Sequence, residues 1–128
     1  MELGTFGAIL TFAMELEGQA AAFYERAAEH DPAGPYHTRA RQARKRVVRL
    51  ERARREGVSE MILEAIHGLS SEDYQVEPDP GAALEAQAAL LEATAARFYR
   101  DAAAKIPIPE IERLFRRMAR DLSAGEGR

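Results

Sequence analysis

Two copies of one helical motif organise this sequence: LEGQAAAFYERAA at residues 16–28 and LEATAARFYRDAA at residues 91–103. The copies lie 75 residues apart and share a Leu-Glu pair, a Phe-Tyr pair and a terminal Ala-Ala pair. Within each copy the Glu and the Tyr are seven residues apart, about two helical turns, so both side chains lie on one face. The repeat therefore predicts two equivalent helices that each carry a Glu and a Tyr on the same side.

Spacing and helix-breaking residues around the repeat predict four helices, at about 3–29, 36–56, 82–105 and 109–123. Prolines in the short segments 31–35 and 106–109 end the first and third helices, so each half of the chain is predicted to be an antiparallel hairpin. About 25 residues separate the second helix from the third, a length that suits a long crossover. Gly57 is expected to cap the second helix, and residues 58–66 are expected to form a short amphipathic helix within the crossover.

Length and composition favour one folded domain. The chain has 128 residues, and we expect a single domain over 1–123 with a frayed tail at 124–128. Because it has no cysteine, disulfides, thiolate metal sites and cysteine nucleophiles are excluded. Charged residues interrupt every apolar stretch before a membrane span is reached, and the N-terminus lacks the pattern of a secretory signal. We therefore expect an all-α protein of the cytoplasm with no membrane association.

Glu17 is the most unusual side chain of the first helix. It lies in the middle of an apolar stripe that includes Leu10, Met14 and Ala21. A carboxylate in such a place is costly unless it meets a cation, a hydrogen-bond donor or a proton. Glu92 borders the corresponding stripe of the third helix. We expect Glu17 to be buried and to need a partner.

The repeated Glu and Tyr on a four-helix architecture resemble the ferritin-like superfamily, in particular its small rubrerythrin-like branch. The resemblance implies a bundle in which helices one and three each give one Glu, and helices two and four each give Glu-x-x-His, to two iron or manganese ions. Glu17 and Glu92 match the first two positions. The other four family positions fall on Arg46, Arg49, Leu122 and Gly125.

With four of the six family ligands replaced, a normal di-metal centre is not expected. Two carboxylates cannot complete the coordination shell of a di-iron site, and a nearby guanidinium would repel the metal. We expect no cofactor, and instead a buried network in which arginines pair with the carboxylates while tyrosine hydroxyls assist. The expected members are Glu17, Glu92, Arg46, Arg49, Tyr24 and Tyr99. The alternative is that Arg46 and Arg49 flank the apolar stripe and extend into water.

These features predict a structural or partner-binding role rather than catalysis. One alternative is a rubrerythrin-like di-iron oxidase or peroxidase, or an iron-binding protein, in which Glu17 and Glu92 hold iron or manganese with further ligands. A second is association with nucleic acid through the basic helix 39–55, which carries nine cations and one anion. No aromatic residue interleaves those cations, which makes nucleic acid the weaker alternative. His30 and His37 flank the first loop as a weak metal candidate.

The first helix is apolar almost all round, which a single four-helix bundle does not fully bury. We therefore expect a homodimer that packs through this helix or through the segment 60–66. The candidate interface residues of the helix are Ile9, Phe12, Leu16 and Phe23.

Overall fold

The computed structural model describes residues 1–56 and 66–123, and this part of the chain is all-helical. Four helices follow one another, α1 (Phe6–His30), α2 (Tyr36–Glu56), α3 (Leu84–Ala103) and α4 (Pro109–Ser123), with a 3-10 turn at Ser71–Tyr74 between α2 and α3. Over the described ranges the only β pairing is a single bridge between Glu2 and Ser70. The prediction of an all-α protein with four helices is confirmed.

Several sequence predictions concern residues outside the described ranges. These are the cap at Gly57, residues 58–65 of the predicted short helix, residues 60–65 of the predicted dimer segment, and the tail 124–128. The ligand position at Gly125 falls there too.

α1 begins at Phe6 rather than near Leu3, because Thr5 caps it. The Thr5 hydroxyl oxygen accepts a hydrogen bond from the Ala8 N–H at 3.1 Å, as expected of an N-cap. The preceding residues are instead paired with the segment that leads to α3. The Leu3 N–H donates to the Leu69 carbonyl at 2.8 Å, which ties the N-terminal residues to that segment.

α1 is the central packing element, since it contacts both α2 and α3, while α3 in turn packs against α4. Short connections make α1 with α2, and α3 with α4, antiparallel pairs. Near the start of α1, Leu10 packs in one cluster with Leu50, Phe98 and Phe115. Near its end, Tyr24 packs in a second cluster with residues of α2 and α3. Of the predicted polar residues, Glu17, Glu92 and Arg46 are also buried in the bundle.

The outer side of α1 is covered by the same chain, so the residues predicted to form a dimer face on this helix are not exposed. The homodimer itself stays a prediction. Ile9, Phe12, Leu16 and Phe23 are all buried within the single chain. The Tyr74 ring lies 6.4 Å from that of Phe12, and the Val76 side chain packs against the cluster that contains Phe23. The connection before α3 therefore supplies the cover that a second subunit was expected to provide. No helix in the described ranges is both long enough and apolar enough to cross a bilayer.

Candidate functional site

Two buried tyrosine–carboxylate pairs join α1 to α3. The Tyr99 hydroxyl donates a hydrogen bond to Glu17 Oε2 at 2.6 Å, and the Tyr24 hydroxyl donates to Glu92 Oε2 at 2.6 Å. Because the two helices run antiparallel, position 17 lies opposite 99 and position 24 lies opposite 92. Each copy of the sequence repeat therefore supplies the donor for the carboxylate of the other copy.

Arg46 of α2 pairs with Glu17 in the interior. The Arg46 Nε atom lies 2.8 Å from Glu17 Oε2, and the two residues are 4% and 1% exposed. The predicted contact between these residues is present, and the alternative in which Arg46 extends into water is wrong. A charge-assisted hydrogen bond to a buried carboxylate is short and strong because no water competes for it.

Arg39 is the interior residue that the sequence did not predict. It is 3% exposed, and its Nη1 atom lies 3.7 Å from Glu92 Oε2 and 3.4 Å from Glu85 Oε1. Arg39 precedes Arg46 by seven residues, which places both on one face of α2. The same seven-residue interval separates Glu17 from Tyr24, so extending the α2 face by two turns would have found Arg39.

Arg49, in contrast, lies at the edge of the cluster. It is half-buried and lines a cleft of about 240 Å³ between α2 and the start of α4, together with Ile111 and Leu114. Its predicted ion pair with an interior glutamate is absent among the described residues. Its positive charge still acts on the Tyr99 hydroxyl, whose pKa it lowers slightly against larger opposing effects.

Burial fixes the protonation state of both interior tyrosines. Desolvation raises the pKa of Tyr24 and of Tyr99 well above the ordinary tyrosine value, and the neighbouring carboxylates raise it further. Both hydroxyls therefore stay protonated and act as hydrogen-bond donors across the physiological range.

The cluster reaches the surface at its Arg39 end. The Tyr36 hydroxyl donates to Glu85 Oε1 at 2.9 Å, and the Arg39 guanidinium lies 5.5 Å from the centre of the Tyr36 ring. The Tyr24 and Tyr36 rings stack at 6.3 Å. Glu85 is exposed, so Arg39 links a buried carboxylate to one in solvent.

The described residues around Glu17 and Glu92 do not fit a di-metal centre. The Glu17 carboxylate accepts hydrogen bonds from Arg46 and Tyr99, and Glu92 accepts one from Tyr24 with Arg39 beside it. A divalent ion there would meet guanidinium groups. The buried side chains of α4 are apolar and offer no ligand: Ile111, Phe115, Met118, Ala119 and Leu122.

Other metal-ligand sets are absent from the part of the chain that the structure describes. In residues 1–56 and 66–123, no three His, Cys, Asp or Glu side chains come together as a group that could hold an ion. His30 and His37 are both exposed and belong to no such group. The metal prediction for these histidines therefore gains no support.

Comparison of the chain with protein-family models, with curated proteins and with solved structures found no match. The proposals below therefore rest on the sequence and on the geometry of this cluster.

Proposed function

We propose that this chain is a ferritin-like four-helix protein that has lost its di-metal centre and acts as a structural or partner-binding protein. The observation that carries the proposal is the buried pair of Arg46 and Glu17. A guanidinium stands at the position where the family resemblance places a metal-binding glutamate.

The ferritin-like arrangement is supported by where the helix ends lie. Ala53, near the end of α2, packs in the cluster that contains Phe6 at the start of α1. Ala88, near the start of α3, packs in the cluster that contains Ala28 near the end of α1. These two contacts support a connection between α2 and α3 that leaves from one end of α1 and arrives at the other, as the proposed crossover requires.

Charge balance in the interior supports the loss of the metal centre. Glu17 and Glu92 carry two negative charges, and Arg39 and Arg46 carry two positive charges beside them. Two divalent ions in the same space would add positive charge while the ligands that normally compensate it are missing. The competing role as a di-iron oxidase or peroxidase would require additional ligands near these two glutamates.

A structural role is supported by the way the cluster aligns the helices. Sliding α1 along α3 by one turn would separate both tyrosines from both carboxylates at once. Buried polar groups of this kind specify one packing register more than they add stability. We therefore assign the cluster to fixing the alignment of the two hairpins, with partner binding left to the surface.

The test is metal analysis of protein produced in medium that contains iron and manganese, followed by assays of Fe(II) oxidation and peroxide consumption. We expect metal content far below one ion per chain and rates equal to those of buffer. The matched variant is Arg46→Glu, which restores one family ligand beside Glu17. We expect Mn²⁺ to raise the melting temperature of this variant but not that of the wild type.

Near-stoichiometric metal in the wild-type protein, or Fe(II) oxidation above the buffer rate, would contradict the proposal. A variant Arg46→Glu that gains no metal-dependent stabilisation would argue against the ferritin-like correspondence of this position.

A further inference from the structure

The exposed side of α2 carries an excess of positive charge that residues 1–56 and 66–123 do not neutralise. Residues 36–56 contain nine cations and two carboxylates. Arg39 and Arg46 face the interior, while Arg44 pairs with the exposed Glu25 and Arg54 with the partly exposed Glu51. The remaining five have no carboxylate within 4.0 Å among the described residues: Arg41, Lys45, Arg49, Arg52 and Arg55.

Four of these cations form one line along the helix. Arg41, Lys45, Arg52 and Arg55 are exposed, and Val48 fills the central position of the line with 60% of its surface exposed. The intervals are four, three, four and three residues, so the five side chains lie along one edge of α2 over about 21 Å. We call these five residues the basic row.

Val48 distinguishes between two kinds of acidic partner. An apolar side chain flanked by the aliphatic parts of Arg and Lys side chains forms a small apolar patch that charged groups surround. A second helix uses such a position for side-chain packing, whereas a phosphate backbone has nothing apolar to place there. Within Tyr36–Glu56 the single Phe, Trp or Tyr residue, Tyr36, is buried, so none of these larger rings lies along the row for stacking bases.

We propose that the basic row is the docking surface for an acidic amphipathic helix of a partner protein. Carboxylates of that helix pair with Arg41, Lys45, Arg52 and Arg55, and one of its apolar side chains packs on Val48. The intervals of the row match those along the contact edge between two helices. This inference rests on the proposed function, because it names the partner chemistry of a protein with a binding role.

The probe is a synthetic alanine-based helix of about 20 residues that carries glutamates at the intervals of the row around a central leucine. A second peptide has the same composition with the glutamates distributed around the helix, and a third probe is a duplex DNA of similar length. Fluorescence anisotropy at low and physiological salt measures the affinity of full-length protein for each probe.

Two charge variants with equal net charge separate the row from charge in general. The row variant carries Arg41→Gln, Lys45→Gln, Arg52→Gln and Arg55→Gln. The control variant removes four other exposed cations through Arg26→Gln, Arg113→Gln, Arg117→Gln and Arg120→Gln. We expect the row variant to bind the first peptide at least about tenfold more weakly and the control to stay within about threefold of wild type.

A Val48→Asn variant tests the apolar contact, and we expect it to weaken peptide binding about threefold. Equal losses in the two charge variants, or equal affinity for the two peptides, would overturn the proposal in favour of non-specific attraction. Tighter binding of DNA that is insensitive to Val48→Asn would overturn it in favour of a nucleic-acid surface. Metal content reports only on the interior, so failure here and failure of the proposed function are separable.

Discussion

At the scale of single residues, the decisive choice is arginine at position 46. A buried carboxylate without a partner costs several kcal/mol. Glu17 is 1% exposed, and Arg46 contacts it directly. The arginine meets this requirement with a charge that no physiological pH removes. Removal of one member of the pair alone therefore destabilises the interior, because it leaves the other charge buried without that partner.

We expect Arg46→Ala to lower the free energy of unfolding by about 3–5 kcal/mol, because it leaves Glu17 buried without its cation. Urea denaturation monitored by circular dichroism measures this loss. Arg44→Ala is the matched control, since Arg44 lies on the same helix as Arg46 and pairs with Glu25 of α1, but both side chains are about half exposed. We expect the control to cost no more than about 1 kcal/mol.

A loss below about 0.5 kcal/mol for Arg46→Ala would place Arg46 among surface residues. Such a result would contradict the buried pair, and the register role assigned to it would fall as well.

At the scale of the elements, the helices were predictable and their contacts only in part. Prolines and the repeated motif mark α1, α3 and the two hairpin turns, because these signals are local in sequence. Glu17, Tyr24 and Tyr99 were predictable because each lies on a recognisable apolar face. Arg39 was not predicted, although it lies two turns before Arg46 on the same face of α2. Its partner Glu92 lies on another helix, so the sequence of α2 alone does not show which carboxylate it meets.

The cover over α1 was missed for a related reason. The passage 67–81 is polar in sequence, and this pattern predicts only a connection. Its few apolar residues, Leu69, Tyr74 and Val76, pack against α1 and α3. Contacts between residues so far apart in the chain leave no periodic signal. The pattern of α1 by itself therefore predicts an exposed face, whereas the connection before α3 covers that face.

Tyr74 is the residue in the connection on which this cover depends most. Its ring lies 5.2 Å from that of Phe98, and its hydroxyl donates to Asp101 at 2.5 Å. We expect Tyr74→Ala to destabilise the protein by about 3–5 kcal/mol, because it leaves a cavity over Phe12. Tyr74→Phe keeps the ring and should cost about 1 kcal/mol.

Thermal and urea denaturation compare the two variants. Equal effects would mean that the hydroxyl, rather than the ring, holds the connection. A Tyr74→Ala protein as stable as the wild type would show that the cover is dispensable.

At the scale of the whole molecule, the buried tyrosines make the stability of the protein decrease at alkaline pH. Burial raises the pKa of Tyr24 and Tyr99 well above 10.0 in the folded protein, whereas tyrosines in the unfolded chain ionise near pH 10. Above that pH the unfolded chain binds fewer protons than the folded one. The contribution of these two protonated hydroxyls to the free energy of unfolding is therefore fully present below pH 10 and is lost as the pH rises beyond it.

We expect the free energy of unfolding to fall above pH 10 by about 1.4 kcal/mol per pH unit for each of these tyrosines. Urea denaturation at a series of pH values gives the slope, and absorbance at the tyrosinate band shows whether ionisation coincides with unfolding. The double variant Tyr24→Phe with Tyr99→Phe should have a shallower slope. An unchanged slope would show that these hydroxyls ionise within the folded protein.

The crossed arrangement of the two tyrosine–glutamate pairs also bears on how such a chain could arise. A single hairpin with this motif would contain one Glu and one Tyr that do not pair with each other. Two identical hairpins related by a two-fold axis would satisfy both at once, each lending its phenol to the other. The present chain has the form that duplication and fusion of such a symmetric ancestor would leave, with symmetry since broken by two arginines that both come from one half.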